Sequence, residues 1–228
     1  MAARLDHLVI AASSLEQGVA WCEDVLGITP GPGGEHPLMG THNRLFSITS
    51  PDFPLAYLEI IAINAAASPS RSAGAKRWFD LDNADLQAQL EKTGPQLIHF
   101  VANTTQAATD VRALAKLGLD RGSLLEASRM TEQGLLRWKI TVRDDGQRLF
   151  YGTLPTLIEW GDVHPSTSMA PSGITLQSLQ ACHPRPDDLR AACETIGLAS
   201  VSIHQGAPNL VATLQTPRGI VTLESRGV

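Results

Sequence analysis

LDHLVIAASSLEQGVAWCEDVLG, residues 5–27, is the stretch that decides the fold. It opens with an apolar run that contains one histidine, His7, and such a run is typical of a buried strand. Ser13 and Ser14, with Glu16 and Gln17 three residues after each, are a capping-box signature of a helix N-terminus. Apolar residues then recur at helical spacing until Gly27, so the stretch predicts a strand that leads directly into a helix.

The same plan returns twice along the chain, which indicates internal repeats. LIHFVANTTQAATDVRALAKLG, residues 97–118, again places one histidine, His99, in an apolar run and ends its helical face at a glycine. The interval from histidine to glycine is 20 residues in the first copy and 19 in the second. A third, weaker copy runs from Ile174 to Gly197 and has no histidine at the equivalent position. Strand-like runs follow each helix, so each copy predicts a βαβββ module.

These repeats predict an α+β fold in which βαβββ modules form a curved, mostly antiparallel sheet around a cleft. The predicted division has modules at residues 1–63 and 97–162 and a degenerate third module at residues 173–228. Residues 64–96 form a connector, with a helix predicted from Lys76 to Thr93.

Composition narrows the class of protein. The chain has 228 residues, of which 43% are hydrophobic and 18% charged, which is typical of a folded globular protein. A net charge of −5 gives no electrostatic reason to expect a nucleic-acid partner. No apolar run approaches the roughly 20 residues that span a bilayer, so no membrane partner is expected. Three widely spaced cysteines favour a reducing, cytoplasmic location.

The last strand of each copy carries an aliphatic residue followed by glutamate, at Glu59, Glu159 and Glu224. A carboxylate inside a buried strand costs several kcal/mol unless it is paired or bound to a cation. Histidine and glutamate at equivalent places in two modules predict one shared site, and these ligands suit Zn, Fe, Mn, Co or Ni. The candidate ligands of this divalent metal ion are His7, Glu59, His99 and Glu159.

Purely structural roles are alternative interpretations for the same residues. His7 and His99 could be hydrogen-bonded core histidines, and Glu59 or Glu159 could pair with a buried arginine. Glu224 has no histidine in its module and is read as structural. The candidates for contact with a substrate are arginines suited to an anionic group, an amide and an indole: Arg44, Arg129, Arg137, Asn43 and Trp138.

The four His and Glu positions resemble the metal-ligand positions of the vicinal oxygen chelate superfamily. The segments 40–44 and 77–79 resemble features of its glyoxalase-like branch. The resemblance implies a metal-dependent lyase or isomerase that acts on a small oxygen-rich or carbonyl substrate. It also implies that Glu59 or Glu159 leaves the metal and acts as the base.

Two other functions fit the same resemblance. An extradiol-type dioxygenase would hold Fe(II) with two histidines and one glutamate. A non-catalytic protein would sequester an apolar or planar small molecule in the cleft. The third module has no partner module in the chain, so we expect it either to pair across a homodimer axis or to cap the sheet.

Overall fold

The computed structural model describes residues 2–131 and 134–227. The first half of the chain forms these elements: β1 Arg4–Ala11, α1 Leu15–Trp21 continued by a π-helical turn at Cys22–Leu26, β2 Glu35–His36, β3 Thr41–Ser47, β4 Tyr57–Ile63 and α2 Ala84–Thr93. The second half forms β5 Gln96–Asn103, α3 Ala107–Lys116, β6 Ser123–Thr131, β7 Gly134–Val142, β8 Thr156–Trp160, β9 Thr175–His183, α4 Pro186–Thr195, β10 Ser202–Gln205, β11 Asn209–Thr216 and β12 Gly219–Glu224.

Eight strands form one curved, nearly closed sheet in the order β2-β3-β4-β1-β5-β8-β7-β6. The first strands of the two modules, β1 and β5, pair antiparallel at its centre. Each first strand pairs in parallel with the last strand of its own module, β1 with β4 and β5 with β8. The predicted α+β class and curved sheet are therefore confirmed.

The predicted helix stops lie where a left-handed backbone is needed. Gly27, Gly118 and Gly197 follow their helices with φ of 78°, 75° and 70°. Glycine adopts this conformation without the steric cost that a Cβ would add, so each helix can end sharply there.

Alternate residues of β1 divide the core into two clusters. Leu8 and Ile10 pack in an outer cluster, whereas Val9 and Ala11 pack in an inner cluster on the other face of the sheet. The outer cluster continues into the third module through side chains such as Leu210. The third module therefore caps the outer face of the sheet within the chain, which is one of the two expected arrangements.

The third module keeps the element order of the other two but pairs its strands differently. Its sheet has the order β10-β9-β11-β12, with β9 parallel to β10 and antiparallel to β11. In the first two modules the first strand lies at the module's edge instead. The third module thus repeats the sequence plan without repeating the sheet.

The connector helix is shorter than predicted. It spans Ala84–Thr93, and the Asn83 side chain caps it by accepting the backbone N–H groups of Asp85 and Leu86 at 2.8 and 3.2 Å. The preceding turn has positive φ at Phe79 and Asp80, which helical backbone does not allow. This turn presents Trp78 and Phe79 to the inner face of the sheet.

Two strands, β2 and β6, were not predicted. Strand β2 has only two residues, and β6 alternates between exposed and half-buried side chains, with few large apolar residues. Neither pattern stands out in the sequence as strand-like.

Across the described ranges 2–131 and 134–227, none of the helices combines the length and apolarity that crossing a bilayer requires.

Candidate functional site

The inner face of the eight-stranded sheet surrounds a cavity of about 30 Å³. This volume is room for about two water molecules, so a larger ligand must displace side chains to bind. The polar lining consists of His7, His36, Asn43, Glu59 and Arg129. The aromatic walls are Tyr57, Trp78, Phe79, Trp138 and Trp160.

His7 lies between two carboxylates at the centre of this site. Its Nδ1 is 2.6 Å from Asp6 Oδ1, and its Nε2 is 3.5 Å from Glu59 Oε2. Tyr57 stacks on the imidazole at a ring separation of 4.6 Å. Burial alone would lower the pKa of His7, but the hydrogen bonds to Asp6 and Glu59 outweigh burial and raise the pKa to about 9. His7 is therefore a buried imidazolium at neutral pH.

Asp6 reaches the inner face because the strand is irregular at that residue. Neighbouring strand residues normally point to opposite faces, but the β1–β5 pairing skips Asp6 between Leu5 and His7. The fully buried carboxylate also accepts hydrogen bonds from Trp160 Nε1 at 2.8 Å and His164 Nε2 at 2.9 Å. Burial opposes ionisation, yet the hydrogen bonds from His164 and His7 hold the pKa of Asp6 well below its usual range.

Glu59 is held by a second set of polar contacts. Asn43 Nδ2 donates to Glu59 Oε1 at 2.6 Å, and the Gly34 backbone N–H fixes the amide by donating to Asn43 Oδ1 at 2.8 Å. Burial would raise the pKa of Glu59, but the hydrogen bond and charge of His7 lower it. Burial lowers the pKa of His36 to about 4, so His36 is neutral and its Nε2, 3.3 Å from Asn43 Nδ2, accepts from that amide.

Arg129 brings a cation to the cavity from β6. Its Nη1 is buried and has no hydrogen-bond partner within the part of the chain that the structure describes. The guanidinium lies over Gly34, where an added Cβ would be 2.4 Å from Arg129 Nη1. Glycine at this position therefore makes room for a side chain that can bind an anionic ligand group.

The structure brings five of the predicted site residues to the cavity: His7, Asn43, Glu59, Arg129 and Trp138. Arg44 and Arg137 are not among them, because both side chains are exposed on the opposite face of the sheet. Strand alternation explains both cases, since Arg44 follows inward-facing Asn43 and Arg137 precedes inward-facing Trp138.

Glu159 also lies outside the cavity, contrary to the expected convergence with Glu59. Ile158 and Trp160 face inward, so Glu159 points to the helical side of the sheet. Its Oε2 accepts the backbone N–H of Ala107 at 2.9 Å, at the first residue of α3. Its Oε1 lies 3.8 Å from Lys139 Nζ. Glu159 therefore serves as a helix cap rather than as a partner of Glu59.

His99 is a bonded core histidine, which was the alternative interpretation. Its Nδ1 donates to the Gly152 carbonyl at 2.8 Å, and its Nε2 accepts the Thr156 backbone N–H at 3.1 Å. Burial, followed by the charge of Arg121, holds the pKa of His99 well below its usual value. Both ring nitrogens of this neutral imidazole are thus occupied by the fold.

The predicted four-ligand metal site does not fit this arrangement. Residues 2–131 and 134–227 contain no group of three or more His, Cys, Asp or Glu side chains placed to hold a metal ion. His7 and Glu59 supply two facing donors, whereas catalytic sites for these metals use about three protein ligands.

Sequence reasoning gave no role to Asp6, His36 or His164, which are all part of this hydrogen-bonded network. His36 lies in the two-residue strand β2, and His164 lies between the second and third predicted modules, so periodicity identifies neither. A signal existed for Asp6, because a charged residue in the apolar first strand needs a buried partner.

Comparison with known proteins supports the same architecture. A sequence model of the glyoxalase-like domain family matches residues 5–197. A search of curated proteins finds no match. A crystal structure of a hypothetical protein from Staphylococcus aureus is similar at 12% identity, covering 97% of this chain and 85% of that chain, with a TM-score of 0.57. This likeness concerns the fold alone.

Two methylmalonyl-CoA epimerase structures are also similar. The enzyme from Mycobacterium tuberculosis is 17% identical over 68% of this chain and 85% of that chain, with a TM-score of 0.39. The Streptomyces coelicolor enzyme, in complex with 2-nitronate-propionyl-CoA, is 17% identical over 72% of this chain and 99% of that chain, with a TM-score of 0.42.

Proposed function

This chain belongs to the glyoxalase-like domain family, and from that premise we propose that it is an isomerase-type enzyme for a small, anionic carbonyl compound. The observation that carries the proposal is the ionised Glu59 carboxylate inside an aromatic cavity. The same cavity holds Arg129 Nη1, which has no hydrogen-bond partner among the described residues. A base beside a cationic anchor suits proton transfer at the carbon next to a carbonyl group.

In this reaction Glu59 removes the proton from that carbon, and the C–H electron pair forms an enolate. Substrate binds between His7 and Glu59, where it replaces the 3.5 Å contact between His7 Nε2 and Glu59 Oε2. The His7 imidazolium then donates Nε2–H to the enolate oxygen and stabilises its charge. Protonated Glu59 then returns the proton to the same carbon after the planar enolate has turned its other face toward Glu59. Where that carbon carries a hydroxyl group, the hydroxyl proton passes to the enolate oxygen and Glu59 instead protonates the former carbonyl carbon. No redox partner is needed, and atoms and electrons balance.

The low pKa of Glu59 is compatible with its role as a base, because bound substrate removes the hydrogen bond that lowers this pKa. The hydrogen bond and charge of His7 depress the pKa of Glu59 in the free protein. When the carbonyl oxygen of the substrate takes the His7 N–H, Glu59 loses that hydrogen bond while burial remains. Its pKa then rises, so the carboxylate becomes a stronger base when substrate is present.

The test is proton exchange in D₂O, followed by ¹H NMR with pyruvate, 2-oxobutyrate, acetoacetate and acetone as probes. We expect the protein to accelerate exchange of protons next to the carbonyl for at least one of the three acids, but not for acetone, which lacks an anionic group. Exchange no faster than in buffer for all of these probes would overturn the proposal.

Arg129→Gln is expected to raise KM for the acid that exchanges by about 10- to 100-fold, with a smaller effect on kcat. The reason is the loss of a charge-assisted hydrogen bond of about 1.5–3 kcal/mol to the anionic group. Arg137→Gln is the matched control, because Arg137 is exposed on the opposite face of the neighbouring strand β7. Equal KM values in the two variants would remove Arg129 from substrate binding.

Sequestration of a planar molecule is a second candidate, favoured by the aromatic walls. Trp138 and Trp160 lie 5.6 Å apart with their rings tilted by 48°, and they line the cavity together. Binding of a planar aromatic ligand would quench their fluorescence and would not depend on the Glu59 carboxylate, whereas proton exchange would.

The superfamily resemblance implies instead a metal-dependent reaction with His7, Glu59, His99 and Glu159 as ligands. Since only His7 and Glu59 of the four expected donors meet in the described residues, we expect less than one metal ion per chain. Mass spectrometry of untagged protein measures this. Stoichiometric metal that is lost in His7→Ala would instead support the metal-dependent version.

A cytoplasmic location and a homodimer remain predictions.

A further inference from the structure

Arg121 is a buried cation that forms no salt bridge within the described residues 2–131 and 134–227. The residue lies in the loop between α3 and β6 and is 2% exposed. Nη2 donates to Thr156 Oγ1 at 2.8 Å, whereas Nε and Nη1 are buried with no hydrogen-bond partner in residues 2–131 and 134–227. A buried guanidinium in this state costs several kcal/mol unless another species neutralises it.

The nearby carboxylates are engaged elsewhere. Asp120 and Asp145 pair with Arg143, at 3.5 and 2.6 Å. The Asp120 side chain is 77% exposed, so its charge is screened by solvent. Arg143 adds a second positive charge on the same side of the sheet. Burial, followed by the charge of Arg143, lowers the pKa of Arg121 to about 10 against the opposing charge of Asp120, so Arg121 stays protonated at neutral pH.

A small cavity of about 10 Å³ adjoins the guanidinium. It is separate from the aromatic cavity, and Trp78 and Phe79 line both. Thr141 also lines it; its Oγ1 accepts the Leu157 backbone N–H at 3.0 Å, which leaves the hydroxyl proton free to donate. The lining thus offers hydrogen-bond donors and positive charge, and it includes no Asp or Glu.

We propose that this cavity is a binding site for one monovalent anion of chloride size. The volume is room for about one single-atom ligand, so a carboxylic acid or a phosphate would have to displace side chains to enter. A water molecule would satisfy the free N–H groups but would leave the charge of Arg121 uncompensated. A halide meets both requirements. This inference does not depend on the proposed function of the aromatic cavity.

The anion would act on the second module rather than on the reacting groups. Arg121 holds Thr156 in β8, and Thr156 in turn contacts His99 in β5 through its backbone N–H and its hydroxyl. Neutralising Arg121 therefore stabilises a connection between two paired strands. The expected consequence is a fold whose stability depends on halide concentration.

The test is thermal unfolding in sodium chloride, bromide and gluconate at equal ionic strength. We expect chloride and bromide, but not the larger gluconate, to give a saturable rise in Tm of about 5 °C or more at a hundredfold excess over the dissociation constant. Arg121→Met should abolish the difference between salts. Arg112→Gln, which removes an exposed arginine from α3, should retain it.

Crystals of the unaltered protein soaked in bromide keep the proposal testable even when Arg121→Met does not fold. An anomalous peak within hydrogen-bond distance of the Arg121 guanidinium would support the site. Identical Tm values in all three salts, or a water molecule in the cavity with no anomalous peak, would overturn it.

Discussion

Asp6→Asn is expected to destabilise the protein by about 3–5 kcal/mol, the usual cost of removing one partner from a buried ion pair. The carboxylate is fully buried and binds three donors, on His7, Trp160 and His164. An amide has the same shape, but it provides one acceptor oxygen and no charge. Chemical denaturation with urea measures the loss through the midpoint at constant slope.

Asp120→Asn is the matched control for this change. It removes the same charge from a side chain that is 77% exposed, so we expect a change of no more than about 0.5 kcal/mol. An Asp6→Asn variant that loses no more stability than Asp120→Asn would show that the buried network around His7 contributes little to the fold.

The Asp6→Asn and Asp120→Asn variants should also differ in how their stability depends on pH. The pKa of His7 is raised from 6.5 to about 9 on folding, so its contribution is complete below pH 6.5 and is lost as pH rises through 9. That shift corresponds to about 3 kcal/mol at most. The pKa values of Asp6 and Glu59 are lowered, so their contributions are present above their usual pKa values and are lost in acid. In Asp6→Asn, the decline from pH 6.5 to 9 should be much smaller.

The repeat in the sequence predicted the fold because its signals are local. The spacing from His7 to Gly27 and from His99 to Gly118 reflects one strand and one helix each, and both pairs occupy the expected elements. The pairing of the third module could not be predicted in this way. Strand order depends on contacts between distant segments, and the element order of β9 to β12 matches that of the other modules.

The site was predicted only where one face of a strand is clearly marked. Asn43 and Trp138 face the cavity, whereas their chain neighbours Arg44 and Arg137 point to the opposite face of the sheet. Both arginines were predicted as site residues because the sequence does not show which of two adjacent strand residues faces inward. Residues 157–160 are apolar on both faces except for Glu159, so the sequence did not reveal which face that glutamate occupies. The irregularity at Asp6 is likewise invisible to a pattern of period two.

Glu59→Gln is expected to lower the rate of proton exchange for the responding acid by about 10²- to 10⁴-fold, the usual contribution of a general base. The amide keeps the shape of the side chain and can still accept from Asn43 Nδ2, but it cannot take a proton from carbon. KM should change little, because Arg129 still holds the anionic group.

Glu159→Gln provides the reciprocal control within the same chain. Its side chain is 26% exposed, against 6% for Glu59, and it caps α3 from the opposite face of the sheet. This variant should exchange protons at nearly the parent rate and lose at most about 1 kcal/mol of stability, because its amide oxygen can still accept the Ala107 N–H but carries no charge near the helix N-terminus. Full exchange activity in Glu59→Gln would show that Glu59 is not the base. If Glu59→Gln also bound a planar aromatic probe as tightly as the parent protein, sequestration between the aromatic walls would become the better supported function.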